Sequence, residues 1–287
     1  MKLITPFILS IVLFSCHGKE EQAEQNTDYF LNNEALGKID KQLEEASGIV
    51  ASVTNPGMFW VINDSGHAAD VFLIDIHAQI RMVCHLKGVK NRDWEDITLG
   101  TIEGKTFIYV GDIGDNLAQY SSKLIYRFEE PVFESGEITI EEIKTITVFL
   151  SDGGRDTEAM MIDPLTNDLY LVSKREDSVH LYHAAFPYSD SLTMNKVAQL
   201  PFNSIVAANI SSNGKEILMK DYPNVYYWKR EEGQSVVELL KQPPIALPYD
   251  MEEQGEAICF AIDGKGYYTV SETTKRRQAE LLFYKRK

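Results

Sequence analysis

Cysteine is scarce in this 287-residue chain, which has three. So few cannot build a disulfide framework. Cys84 and Cys259 sit in apolar, strand-like runs and read as buried free thiols. No Gly-x-Ser-x-Gly elbow occurs, which removes the usual serine-nucleophile signature. Basic residues are also short. The 28 Lys and Arg against 43 Asp and Glu leave a formal charge of −15. That balance excludes a nucleic-acid partner, which would need a basic stripe, and broad attraction to anionic lipid. A long amphipathic helix pattern is missing between Leu36 and Lys287. Gly111 and Gly114 lack the helix that a dinucleotide-binding turn requires. The oxygen-rich Asn63–His67 and Gly111–Asn116 turns lack the ligand spacing of an EF-hand loop.

What is present begins with an address. Residues 1–15 carry Lys2 and an apolar stretch, Leu3–Phe14, that is too short to span a bilayer but suits a secretory signal. The stretch ends in Leu13-Phe14-Ser15-Cys16, which resembles a bacterial lipobox. The resemblance implies cleavage before Cys16 and a diacylglycerol on its sulfur. An ordinary signal peptide with an incidental cysteine is the other reading. His17-Gly18-Lys19-Glu20-Glu21 resembles the Lys-plus-acidic signal of surface-exposed lipoproteins. Residues 16–35 are polar and read as a flexible tether, with the folded domain expected over 36–287. The expectation is an exported monomer, an outer-membrane or cell-surface lipoprotein that meets the membrane through its lipid alone.

A repeat runs through the remainder. Glu45-Ala-Ser-Gly-Ile49, Asp93-Trp-Glu-Asp-Ile97, Asp156-Thr-Glu-Ala-Met160, Val206-Ala-Ala-Asn-Ile210 and Gln254-Gly-Glu-Ala-Ile258 each place a small or acidic cluster before an apolar residue. Their last residues lie 48, 63, 50 and 48 positions apart. Two further runs rich in Val, Ile, Tyr and Phe follow each cluster, bounded by Gly, Asn, Asp and Pro, as strands are. A weaker fourth run closes the first four units: Arg81–Leu86, Ile143–Leu150, Lys196–Leu200 and Val236–Leu240. The fifth unit ends after its third run, and Leu36–Leu43 is free to complete it. This spacing predicts an all-β, five-bladed β-propeller closed by an N-terminal strand, which leaves no open sheet edge. Six blades, using the long gap between Ile97 and Met160, are the alternative. Trp60, Tyr109, Tyr170 and Tyr268 recur on the second strands and are expected between blades.

Blade geometry brings the start of each innermost strand beside the end of the second. The first column reads Ser47, Glu95, Glu158, Ala208 and Glu256; the other reads Asp64, Asp112, Lys174, Asp221 and Glu272. Asp93, Asp96 and Asp156 flank them. So many carboxylates at one mouth need protonation, cations or backbone donors to coexist. Glu95, Glu158, Glu256, Asp64, Asp112 and Glu272 are candidate ligands for Ca²⁺, which takes six to eight oxygens. Lys174, Arg175 and His67 are candidate contacts for a bound molecule. Acids at blade starts can equally serve as acceptors for backbone N–H groups of the next blade.

Asn63–Gly66, Asp93–Asp96, Gly111–Asn116, Asp156-x-Glu-Ala159 and Gly255-Glu-Ala257 together resemble a family of bacterial secreted β-propeller lipoproteins loosely labelled PE-PGRS-like, NHL-like or phytase-esterase-like. The resemblance covers about residues 45–287 and implies the fold without a particular activity. Two functions fit the residues. One is a lipid-anchored module that binds a small molecule or surface partner at an acidic, Ca²⁺-binding mouth. The other is a metal-dependent hydrolase of phosphate or carboxylate esters or lactones.

Overall fold

The computed structural model describes residues 22–287. The signal segment 1–15, Cys16 and the 17–21 motif lie outside the described residues. What is described is nearly all strand, and no described helix is long and apolar enough to cross a membrane.

Five innermost strands, Ala46–Ala51, Trp94–Ile102, Thr157–Ile162, Ala207–Ile210 and Gly255–Phe260, each head a group of antiparallel strands. They touch one another in chain order, and the last touches the first, so they line a closed ring. Four of them are buried along their whole length, which explains their small and apolar sequences. Between consecutive groups lie five apolar clusters. Trp60, Val71 and Leu73 of the first group meet Trp94, Ile108 and Val110 of the second. Met161 and Val172 meet Met219 and Trp228 across the third and fourth. Trp60, Tyr109 and Tyr170 are buried in these seams as expected, and the Tyr268 ring packs at a tilt against Phe59 with centroids 4.5 Å apart. Cys84 and Cys259 are buried and free, and burial pushes the Cys84 thiol up to about 12.

The last group is completed by the N-terminal strand, which runs antiparallel to Glu280–Arg286. It spans Phe30–Lys38, so it starts six residues before the expected Leu36, and strand replaces the tether anticipated up to residue 35. Phe30 explains the earlier start: its ring is fully buried between Tyr227 and Tyr267, with centroids 5.7 and 5.1 Å away. Residues 41–43, expected as strand, form a 3₁₀ turn instead. Asp40 caps that turn by accepting from the Gln42 N–H.

Two further departures have local causes. Val236–Leu240 is a short helix, not the fourth strand of its group. Ser235 accepts from the Glu238 N–H while the Glu238 carboxylate accepts from the Ser235 N–H, a capping box. Val236, Leu239 and Leu240 then share one buried face, and Ile245–Leu247 takes the strand position. The long 97–160 gap contains an extra strand, Gly136–Ile140, that leaves its own group and pairs in parallel with Ile80–Leu86 of the preceding one. Lys144–Leu150 likewise pairs in parallel with Ser191–Leu200, joining two groups into one eight-stranded sheet.

Candidate functional site: an acidic mouth built on repeated bulges

The register between first and second strands breaks at one position in four of the five groups. The irregularities fall between Ala46 and Gly48, Trp94 and Asp96, Thr157 and Ala159, and Gly255 and Ala257. The skipped residues are Ser47, Glu95, Glu158 and Glu256. A β-bulge re-aims the side chain it carries, and here three bulges carry glutamate into one opening. The fourth group pairs without a break through Ala207 and Ala208, and it contributes no acid from its inner strand.

Glu95, Glu158 and Glu256 line a cavity of about 200 Å³ with Asp64, Glu272, Lys174, Arg175, Asn116, Tyr222 and Gln254, a wholly polar set. Asp64, Lys174 and Glu272 each directly follow a second strand. Of the expected ligands, five therefore meet and one does not. Asp112 is fully buried elsewhere, accepting from Arg92 Nε at 3.0 Å and Tyr126 Oη at 3.3 Å. The register shows why. Asp112 pairs with Trp94 as Asn63 pairs with Ala46 and Ser173 with Thr157, so it sits one residue short of the column. A one-residue slip turns a side chain to the other face, and Ile113 occupies the position expected of Asp112. Asp221 is in the column but is held by the Asn224 N–H and Tyr226 Oη, leaving Tyr222 at the rim. His67 does not line the cavity; its Nε2 lies 2.8 Å from Glu45.

Asp93 and Asp156, read from the sequence only as neighbours, prove central. Carboxylate oxygens of Asp64, Asp93 and Glu95 lie within 4.8 Å of one another, as do those of Glu95, Asp156 and Glu158, so Glu95 belongs to both triads. Asp156 also accepts from the Asp115 N–H at 2.8 Å and from Arg175 Nε. Gly114 lets the two carboxylates approach the backbone: a Cβ on it would lie 2.1 Å from Glu95 Oε1 and 2.5 Å from Asp93 Oδ2, so one or both would have to move. Deeper in the ring, Asp96 does the structural work. It accepts from the Ile97 and Met160 N–H groups at 2.8 Å each, tying adjacent inner strands.

Burial and mutual repulsion oppose ionisation of five mouth carboxyls, those of Asp64, Asp93, Glu95, Glu158 and Glu272. Burial, then Glu158, holds Glu95 well above the usual carboxylate range. Burial pushes Glu158 up to about 8 although Lys174 Nζ lies 2.9 Å away. Glu272 is raised to about 8 by burial and Glu256, and Asp93 to about 6 by burial, Asp64 and Asp156. Asp64 is raised by burial as well. Lys174 spans the opening between Glu158 and Glu256, the latter at 3.8 Å, and these two hold its ammonium charged against the cost of burial. Tyr222 Oη donates to Glu256 at 2.7 Å. The arrangement can take up protons or a hard cation, and it offers Lys174 and Arg175 to an anion.

Closed ring and acidic mouth together define a β-propeller-like protein with a polar central site. The sequence matches no protein-family model and no curated protein. In fold the chain is similar to the PQQ-bound aldose sugar dehydrogenase of Streptomyces coelicolor, with a TM-score of 0.51 and 12% identity over 89% of this chain and 98% of that one. It is also similar to a gluconolactonase of Xanthomonas campestris, with a TM-score of 0.47 and 10% identity over 80% and 69% of the two chains. At 12% identity the likeness to the dehydrogenase is one of fold alone.

Proposed function

We propose that this chain is an exported, lipid-anchored, five-bladed β-propeller whose mouth binds Ca²⁺ and, with it, an anionic ligand. One observation carries the reading: three bulged strands converge three glutamates on a polar cavity where Glu95 is common to two carboxylate triads. The donor set is all oxygen, without sulfur or imidazole, and suits a hard cation. Asp64, Asp93, Glu95, Asp156 and Glu158 would hold the ion, and Asn116 and Gln254 add amide oxygens at the rim. Bound Ca²⁺ would neutralise the cluster and attract phosphate or carboxylate groups. Lys174 and Arg175 would pair with the same groups, and the fourth group, without an acid on its inner strand, leaves a way in past Tyr222. The five-blade count rests on the five seams between consecutive strand groups, and the anchor on the lipobox at Cys16.

Hydrolysis of an ester or lactone is the second reading. The carboxyls of Glu158 and Glu272, held up at about 8 beside Glu95 and Glu256, favour it because such groups exchange protons near neutral pH. Thermal melting during a Ca²⁺ titration tests the first reading. Melting should rise with Ca²⁺ in the native chain and not in Glu95→Gln. A melting point indifferent to every divalent ion would sink it. Turnover on a panel of phosphate esters, carboxylate esters and lactones separates catalysis from binding.

A further inference from the structure

The segment before the closing strand enters the fold beside the mouth. The Ala23 N–H donates to Asn224 Oδ1 at 2.6 Å, and the side-chain amides of Gln22 and Gln25 each donate to the Tyr249 carbonyl at 2.8 Å. The Asn26 N–H donates to the Ala246 carbonyl at 2.7 Å. Asn224 stands two residues from Tyr222, which lines the cavity. The chain thus reaches the domain at the fourth group, on the mouth side. Only six peptide steps separate Cys16 from Gln22, a reach of at most about 20 Å.

The loops around the same mouth carry exposed apolar side chains. Leu117 adjoins the lining residue Asn116 and is 75% exposed; Met251 precedes the lining residue Gln254 by three positions and is 61% exposed. Tyr120 lies in the Leu117 loop and is exposed too. Exposed apolar side chains also stand at the far face, Val53, Leu165 and Ile262 among them; those at the rim are suited to the headgroup region of a bilayer if the chain is held there.

Resting on the lipid-anchor reading above, we propose that the mouth face is the face this protein lays on its membrane. Leu117, Tyr120 and Met251 enter the headgroup layer, and a phospholipid headgroup is the anionic group that the mouth meets. With a net charge of −15 the chain has no general attraction to an anionic surface. Docking comes instead from the short tether, which keeps the rim at high effective concentration over the bilayer.

The test uses the full chain, lipidated in a bacterial host and reconstituted into phosphatidylcholine vesicles carrying a nitroxide-labelled lipid. A fluorophore is placed at L117C, or at L165C in the loop beyond the far end of an inner strand. Leu165 is 61% exposed, and the buried Cys84 and Cys259 do not compete for the label. Lipid quenching should be several-fold stronger at position 117, and a twenty-residue Gly/Ser insertion after residue 18 should erase most of the difference. Equal quenching at the two sites in a chain whose mass shows diacylglycerol on Cys16 would overturn the orientation alone. A mass without that lipid would overturn the orientation and the anchor together, while Ca²⁺ melting continues to report on the mouth.

Discussion

At Lys174 the chain sets a buried ammonium between two carboxylates, 2.9 Å from Glu158 and 3.8 Å from Glu256. Removing one partner of a buried ion pair leaves the other charge without compensation and costs about 3–5 kcal/mol. Lys174→Met should therefore lower stability by about that much at pH 8, by less at pH 5 where Glu158 holds its proton, and by less again in millimolar Ca²⁺. Urea unfolding at the two pH values, with and without the ion, measures all three. A loss independent of pH and Ca²⁺ would assign Lys174 to packing alone. Gly114 makes a different demand, since a methyl group there would displace the Glu95 and Asp93 carboxylates. Gly114→Ala should weaken Ca²⁺ binding about tenfold to a hundredfold, in the range of other changes around a metal site. Calorimetric titration reads the effect, and unchanged affinity would remove Glu95 and Asp93 from the ligand set.

The closing strand is the element on which the ring depends, and Phe30 is its deepest side chain. Phe30→Ala should cost about 3–5 kcal/mol, and amide exchange should rise first along Glu280–Arg286, the strand it unfastens. Uniform loss of protection would instead mean that the groups unfold together. The repeat was legible because four of the five inner strands, buried on both faces, must be largely small and apolar after their first residues. That requirement recurs at nearly constant spacing. Outer elements obey weaker rules. Val236–Leu240 has the apolar content of a strand, and only Ser235 and Glu238, at capping-box spacing, betray the helix. Gly136–Ile140 is mostly exposed, so it left no hydrophobic trace. At the mouth, Glu95, Glu158 and Glu256 could be aligned from sequence because their bulges repeat. Asp112 was misplaced because the acid of this group stands one residue before the column, level with Asn63 and Ser173, and the column position itself holds the apolar Ile113.

For the whole molecule, the raised carboxyls set how stability depends on pH. Glu158 and Glu272 move from about 4.5 to about 8 on folding, and Asp93 from 3.8 to about 6. The folded chain therefore binds these protons more tightly than the unfolded chain does. Their contribution is fully present below about pH 4 and is lost as pH rises toward 8. Lys220, fully buried, is lowered by burial from 10.5 to about 8, and its contribution returns stability only above that range. Asp152 acts in the other direction: Tyr182 and Arg155 hold it at about 2 against the effect of burial, and its contribution disappears only in strong acid. Without divalent ions, melting temperature should thus decline between about pH 5 and 8. Ca²⁺ needs the same carboxylates deprotonated, so its binding should release protons and tighten with pH across that window. Titration calorimetry in buffers of different ionisation enthalpy counts the protons released. Release near zero, with affinity flat from pH 5 to 8, would show that the mouth resolves its charge internally through Lys174 and shared protons, and would leave the cation without a role.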